Sequence, residues 1–351
     1  VKTLISGFLI SFSAQAALVP EAFLDTYFAY DTNRPREKNR PYTTQSVRHN
    51  EPNINLAFAG VRLDADSYRG RFIIQTGNSV EANTPYESDD LKYIQEAVIG
   101  KRIGEKTWLD GGISLGHLGA ESWISRENWT YTRSLNLDYV PYYATGLRLS
   151  HMIDEKRSIQ MHLMNGWQNI REDNKAKAVG FQFVNQCREG LTITYNNFLG
   201  DEEVTPSEKT GKFRPRFRGY HNLILKWDTP GEWQYLYAVD LAHESQKEND
   251  GIHLMWATTL TSRLAINETQ AIASRIEYYN DSHQINVITP RGENFEVMSA
   301  SVNFDQKIGA QINWRSEIRG YTSKEDIFPQ GNDRPRHQNG VLITSLSLSL
   351  P

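Results

Sequence analysis

The run Gly340-Val341-Leu342-Ile343-Thr344-Ser345-Leu346-Ser347-Leu348-Ser349-Leu350 decides the fold. Successive side chains of a strand point to opposite faces. Leu342, Leu346, Leu348 and Leu350 therefore share one face, and Ser345, Ser347 and Ser349 share the other. The run is longer than the ~5–6 residues usual in globular strands and matches the ~9–11 that a tilted strand needs to cross a bilayer. The pattern recurs upstream. Tyr235, Tyr237, Val239 and Leu241 oppose Gln234, Ala238 and Asp240. Ile272, Ile276 and Tyr278 oppose Arg275, Glu277 and Tyr279, and Ile312, Trp314 and Ile318 oppose Gln311, Asn313, Arg315, Glu317 and Arg319.

Sixteen such runs are expected, at 21–30, 51–64, 68–80, 91–104, 106–118, 137–152, 156–170, 176–186, 190–200, 216–229, 232–244, 250–265, 268–280, 294–305, 309–321 and 340–350. No amphipathic helix stands out after residue 20, beyond a short turn near Ser122–Asn128. The connections alternate in length. Long ones near 31–50, 81–90, 119–136, 201–215, 281–293 and 322–339 are separated by tight ones at Asp64–Ser67, Gly104–Lys106, Ile153–Lys156, Thr229–Glu232 and Asp305–Lys307. The connections near Arg171–Lys175 and Ser245–Asp250 are intermediate. A soluble two-sheet sandwich explains any one strand equally well, with its polar face in water. It gives no reason for loops sorted by parity. An all-β transmembrane antiparallel barrel does, with long extracellular loops and short periplasmic turns, and an even count brings both termini to the periplasm. Aromatic residues near strand ends (Tyr27, Phe28, Tyr30, Trp108, Tyr142, Tyr143, Trp227, Trp233) are candidates for the interfacial girdles.

Composition agrees. The 351 residues carry 38 Lys+Arg against 42 Asp+Glu, a net charge of −4, which argues against a nucleic-acid binder with a broad basic face. Mean hydropathy is −0.57, and no apolar run is long enough for a membrane-crossing helix. A barrel wall hides its lipid-facing residues behind this average, because lumen-facing ones alternate with them. Lys2, the apolar stretch Leu4–Phe12 and Ser13-Ala14-Gln15-Ala16 read as a secretory signal peptide over 1–16, leaving one barrel domain over 17–351. Val1 reads as an alternative start codon. Cys187 is the only cysteine, so neither an intramolecular disulfide nor a cysteine-based metal site is expected.

Several segments are recognisable. Tyr27-Phe28-Ala29-Tyr30-Asp31, Arg48-His49-Asn50-Glu51-Pro52-Asn53, Ile124-Ser125-Arg126-Glu127-Asn128-Trp129-Thr130, Thr132-Arg133-Ser134-Leu135, Pro141-Tyr142-Tyr143 and Asn165-Gly166-Trp167-Gln168 together resemble the OmpL-like putative β-barrel porin-2 family of bacterial outer-membrane proteins. The resemblance is best over residues 25–185. It implies a pore-forming barrel in the outer membrane with no cofactor. One departure is the end, Leu348-Ser349-Leu350-Pro351, where many outer-membrane barrels finish on an aromatic residue. By the same resemblance, the loop between the fifth and sixth strands folds into the pore. It holds Glu121, Arg126, Glu127 and Arg133, with Trp123 and Trp129. Charges in such a narrowed passage select ions by sign.

The inward-facing charges expected from strand register are Arg71, Glu96, Asp110, Arg148, Lys226, Arg263, Arg275, Glu277, Arg315, Glu317 and Arg319. The constriction set is Glu121, Arg126, Glu127, Arg133, Arg148, Arg275, Glu277, Arg315, Glu317 and Arg319. The expected function is passive diffusion of small hydrophilic solutes or ions. The expected surroundings are outer-membrane lipid and lipopolysaccharide, with a homo-oligomer by fold analogy. The alternatives are a plugged barrel acting as an adhesin or structural protein, and a barrel hydrolase. For the latter, His243-Glu244 and Asp240 are the nearest to a catalytic group, without G-x-S-x-G, P-loop or H-E-x-x-H. His162 and His253 face the lumen by register, the paired Asp64 and Asp66 fall in an expected periplasmic turn, and the loop pairs Asp89/Asp90 and Glu202/Glu203 suit at most calcium or lipopolysaccharide-bridging ions.

Overall fold

The computed structural model describes residues 17–172, 176–202, 217–229, 231, 233–245, 251–331 and 333–350. The expected signal segment 1–16, Glu203 and most of the loops 201–215 and 245–250 lie outside them. The first strands are β1 (Ala17–Asp31), β2 (Pro52–Asp64), β3 (Tyr68–Thr76), β4 (Ile94–Gly104), β5 (Thr107–Leu115), β6 (Tyr143–Met152), β7 (Arg157–Met164) and β8 (Ala178–Arg188). They continue with β9 (Leu191–Asp201), β10 (Phe217–Trp227), β11 (Gln234–Ser245), β12 (Ile252–Ala265), β13 (Gln270–Asp281), β14 (Phe295–Lys307) and β15 (Ile312–Ser323). After β15 come a small hairpin, β16 (Phe328–Gln330) and β17 (Asp333–Arg336), and the closing strand β18 (Gln338–Ser349).

All but the hairpin form one closed barrel of 16 antiparallel strands. β18 pairs with both β15 and β1, for instance Ser345 opposite Arg315 on one side and Tyr27 on the other. Closure leaves no sheet edge, so every backbone group of the wall has a partner without water. The faces are sorted as a lipid-embedded wall requires. Leu24, Phe72, Ile99, Leu147, Leu223, Leu241, Ile276, Ile318 and Leu346 point outward and are exposed. Asp25, Asn222, Asp240, Thr261, Arg275, Glu317 and Ser345 point inward and are buried. A water-soluble domain does the reverse, and its exposed apolar patches stay small.

The expected strands agree with the structure to within a few residues, with three exceptions, of which the run 156–170 simply ends early, at Met164. The run 68–80 stops at Thr76 because Gly77 turns the chain at φ +129°, where any Cβ would lie 2.5 Å from the Asn55 carbonyl oxygen. Helix α1 (Asn78–Asn83) follows, with Ser79 Oγ donating to the Asn55 carbonyl at 2.8 Å. The run 137–152 begins only at Tyr143, because Leu135–Asp138 forms a short helix, α2, inside the barrel. The expected turn near Ser122–Asn128 holds a 3-10 turn at Ser125–Glu127. The girdle assignments divide. Phe28 and Tyr30 face outward, and Trp227 and Trp233 are exposed. Tyr27, Tyr142 and Tyr143 are buried, and Trp108 lies on the inner wall beneath the Arg69 guanidinium, 4.5 Å from the ring centre.

Candidate functional site: a loop fastened across the barrel

The segment 116–142, between β5 and β6, runs inside the barrel, and residues 130–138 are buried throughout. Buried backbone groups away from regular structure need other partners. Here charged wall side chains supply them. Arg275 on β13 donates to Thr130 Oγ1 at 2.7 Å, to the Thr132 carbonyl at 2.6 Å and to Thr132 Oγ1 at 2.8 Å. Glu317 on β15 accepts from the Thr132 amide at 2.6 Å and its hydroxyl at 2.9 Å. Arg319 donates to the Arg133 carbonyl at 2.8 Å and Thr132 Oγ1 at 3.1 Å, and it pairs with Glu277. Glu277 accepts the Leu135 amide at 2.6 Å, at the start of α2. Arg315 donates to the Asn128 carbonyl at 2.7 Å and to Asp305 at 2.7 Å. Glu121, within the loop, accepts the Ser134 amide at 2.8 Å and faces Arg275 at 3.2 Å.

The charges of this sector are paired with one another. Three guanidinium groups, of Arg275, Arg315 and Arg319, meet four carboxylates, of Glu121, Glu277, Glu317 and Asp305. Buried charges persist only when paired and hydrogen-bonded in this way. The arrangement holds a loop; it leaves no cationic surplus to attract an ion.

Further anchors ring the barrel. Ser125 Oγ and the Tyr131 hydroxyl donate to Asp25 on β1 at 2.9 and 3.2 Å. Burial beside that carboxylate holds the Tyr131 phenol well above its ordinary value, so it stays a donor. Asn136 Nδ2 donates to Asp240 on β11, which also accepts from Tyr220 and Asn222 at 2.8 Å each. At the loop's root, His117 bonds the Asn197 carbonyl at 2.8 Å and its ring stacks on His162 at 4.1 Å. Burial lowers the His117 pKa to about 4, so it is neutral near pH 7. Arg133 folds over the Tyr142 ring at 3.6 Å, with Asp138 at 3.7 Å.

The sector β1 to β6, which follows β15 across β18, is different. Arg71 bridges Glu21 at 2.6 Å and Glu96 at 2.5 Å. Arg69 and Arg148 reach Asp110 at 2.6 and 3.1 Å. The Asp110 carboxylate occupies the place a side chain would take at Gly100. Here the two signs are unequally exposed. The side chains of Arg62, Arg69, Arg71 and Arg148 are 47, 34, 23 and 25% accessible, against 15% for Glu21, 8% for Glu96 and 2% for Asp110; only Asp64, paired with Arg62 at the end of β2, is as open, at 53%. Away from that pair the accessible charges of this wall are guanidinium groups. Arg126 and Glu127 of the loop are exposed and face it across a cavity of about 390 Å³ that Glu21, Arg62 and Arg71 also line.

The sequence-derived residues thus separate into two groups. Arg275, Glu277, Arg315, Glu317, Arg319, Glu121 and Arg133 are buried in the fastening, whereas Arg126, Glu127 and Arg148 are water-accessible. Sequence reasoning passed over Arg62, Arg69 and Glu21 on the exposed wall. Arg69 shares the parity of Arg71, so the alternation itself carried that signal. The residues considered for hydrolysis do not converge. Asp240 and Glu244 point inward, the latter paired with Arg218 at 2.7 Å, while His243 points outward over Gly219. His253 stacks on His283 at 4.3 Å. Asp89 pairs with Lys92 and Asp90 with Arg171, Asp64 sits 3.0 Å from Arg62, and Glu202 accepts the Trp167 amide. Among the described residues no group of three or more His, Cys, Asp or Glu side chains is placed to hold a metal.

Solved structures with the same architecture include an anion-selective porin from Comamonas acidovorans (TM-score 0.64, 8% identity, covering 96% of this chain and 100% of that one). The trimer form of OmpT, an outer membrane protein of Vibrio cholerae, gives a TM-score of 0.61 at 10% identity, with 95 and 99% coverage. The outer membrane channel DcaP of Acinetobacter baumannii gives 0.61 at 8%, with 96 and 98% coverage. At these identities the likeness is one of fold. Comparison with curated proteins gives no match. The family model of the putative beta-barrel porin-2, OmpL-like proteins matches residues 20–350. With a closed 16-stranded wall, an apolar exterior and a loop fastened across the lumen, the chain belongs to that family of outer-membrane β-barrel porins.

Proposed function

We propose that the protein is a passive channel for small hydrophilic solutes, with the water path running along the β1–β6 wall. One observation carries this reading. The loop is fastened by buried, mutually paired charges on β13–β15, while the charges on the β1–β6 wall keep solvent access. Fixed accessible charges beside a low-dielectric loop focus the field in the gap. The excess of exposed guanidinium there favours anions, the selectivity also stated for the Comamonas acidovorans neighbour. Diffusion of this kind uses no covalent step and no cofactor. The outward apolar belt supports outer-membrane lipid and lipopolysaccharide as its surroundings, the pattern of residues 1–16 supports an export signal, and the trimeric neighbour supports a homo-oligomer.

The test is a planar-bilayer recording of the mature chain across a salt gradient. Discrete steps with a reversal potential on the anion side are expected. A second reading, the plugged barrel, draws on the burial of the whole stretch 130–138. Inserted barrels that pass no current would replace the first reading with the second.

A further inference from the structure

The lipid-facing wall carries an open groove of about 950 Å³ beneath the long connection that follows β15. Strand register builds it. Ile276, Ala300, Gly320 and Gly340 stand opposite one another on β13, β14, β15 and β18. Thr32 continues the row just beyond β1, its amide donating to the Gly340 carbonyl at 2.9 Å. Larger outward side chains flank the row, Val302, Ile318 and Leu342 below it and Met298, Thr322 and Gln338 on the side of the long connections. A Cβ at Gly320 would meet no atom within 4 Å, so the floor is open space. Four strand-to-strand steps of ~4.8 Å make the trough about 19 Å long, on the scale of the ~15 Å of hydrocarbon in one leaflet.

This face of the wall meets lipid, so apolar contact alone selects nothing. A lipid tail is as apolar as a leucine, and one tail gains no more from the trough than another. The rim supplies the selection. Arg336, the last residue of β17, lines the groove, is exposed, and has no ion-pair partner among the described residues. At the β1 end, Arg34 donates to the hydroxyl of the outward-facing Tyr30 at 3.0 Å, and Tyr30 stands opposite Leu342 of the lower lip. Arg34 likewise meets no carboxylate among the described residues. The acid on the rim, Asp326, lies 3.5 Å from His337. Two unpaired guanidinium groups therefore stand at the polar edge of an apolar trough, at the depth of the lipid headgroups. A guanidinium fork matches the oxygens of a phosphate, and basic clusters at this depth recognise anionic headgroups.

We propose that this groove is a binding site for lipopolysaccharide of the outer leaflet, with one acyl chain in the trough and the lipid's phosphates on Arg34 and Arg336. The occupant must be lipidic to lie against this wall and anionic to answer its rim, and the long connections put that rim in the outer leaflet. The site thus turns a general lipid surrounding into one held molecule, clamped across β13–β15, β18 and the end of β1, where the barrel closes. The inference rests on the outer-membrane reading with the long connections outward, and not on conduction.

Native mass spectrometry of the full barrel in detergent, titrated with deep-rough lipopolysaccharide, reads the binding without requiring an open pore. One retained lipid per barrel is expected for the wild type. Arg34→Ala combined with Arg336→Ala should weaken retention about thirtyfold at low salt, roughly fivefold per arginine, and less at high salt. Removing the lipid's phosphates should weaken wild-type retention to the same degree. Gly320→Leu fills the trough from a position where a side chain meets no neighbour, so it should fold normally and lose retention at any salt. Heat-modifiable gel migration checks the folding of each variant. Retention unchanged in either variant overturns the proposal, as does phosphatidylglycerol held as tightly as lipopolysaccharide. Barrels that retain no lipid but dimerise, with Gly320→Leu monomeric, would overturn it in favour of a second copy as the occupant. A silent barrel that retains the lipid would uphold the site and overturn the porin reading; a conducting barrel that retains none would do the opposite.

Discussion

Arg275→Ala is the sharpest test of the fastening. The Arg275 side chain is fully buried and makes three bonds to the loop, at 2.6, 2.7 and 2.8 Å, while balancing Glu121, Glu277 and Glu317 at 3.2, 3.4 and 3.4 Å. After its removal Arg319 alone faces that carboxylate cluster. Breaking a buried ion pair from one side costs ~3–5 kcal/mol, and hydrogen bonds to a charged group are worth ~1.5–3 kcal/mol each, a sum that overlaps rather than adds. Taking only the lower bound, ~3 kcal/mol, the loop's equilibrium for leaving the wall rises roughly a hundredfold. The barrel itself stays closed, because its ladder of strand pairs does not pass through this side chain. Single-channel recording should show openings to a larger conductance roughly a hundred times more often than in wild type. Thr132→Val removes a hydroxyl bonded to Arg275, Glu317 and Arg319 without touching wall charge, and should shift the same equilibrium less, by about tenfold. Heat-modifiable gel migration checks that the barrels are folded. Folded Arg275→Ala barrels with wild-type conductance and opening frequency would refute the fastening argument.

Three further outcomes are expected. Arg71→Gln with Arg148→Gln should move the reversal potential toward cations with little change in conductance; an unmoved potential would remove the β1–β6 wall from the ion path. His117 has its pKa lowered to about 4 by burial, from 6.5, so the unfolded loop root binds the proton more readily than the folded one between those values. Loop stability is therefore full above pH ~6.5 and falls as pH drops toward ~4, and open-channel noise should rise over that window, less so in His117→Gln. Identical noise in both proteins would dismiss the histidine. Cys187 is exposed beside the tight β8–β9 turn, at the end of the barrel where β1 begins. A bulky membrane-impermeant maleimide should label it only after the outer membrane of intact cells is permeabilised, and labelling without permeabilisation would invert the assigned orientation.

How much of this was legible in the sequence depended on how far each cause lies along the chain. The strands were readable because alternation is local: Leu346 and Ser347 declare opposite faces with no knowledge of β1 or β15. Closure followed from strand length and the parity of the loops. Thr76 was misread as mid-strand because the stop comes from a contact between Gly77 and Asn55, more than 20 residues back. The start of β6 was misread because α2 is capped by Glu277, 142 residues away. A period-two pattern contains neither fact.

The same limit governs the charged residues, and there it bears on function. Register places Arg71 and Arg275 alike on the inner face, and nothing in the sequence around either distinguishes them. The difference lies in what stands opposite. Arg275 meets Thr130 and Thr132, so its charge is consumed in holding the loop, while Arg71 meets only partly buried carboxylates of its own wall and keeps 23% of its side chain accessible. The fastening loop thus decides which arginines act on solutes. Because the loop's buried charge partners sit on β13–β15, the arginines of β3 and β6 keep their access to water. A sequence in which the Thr130–Ser134 hydroxyls were absent would release the buried arginines into the lumen and change the selectivity without altering one charged residue.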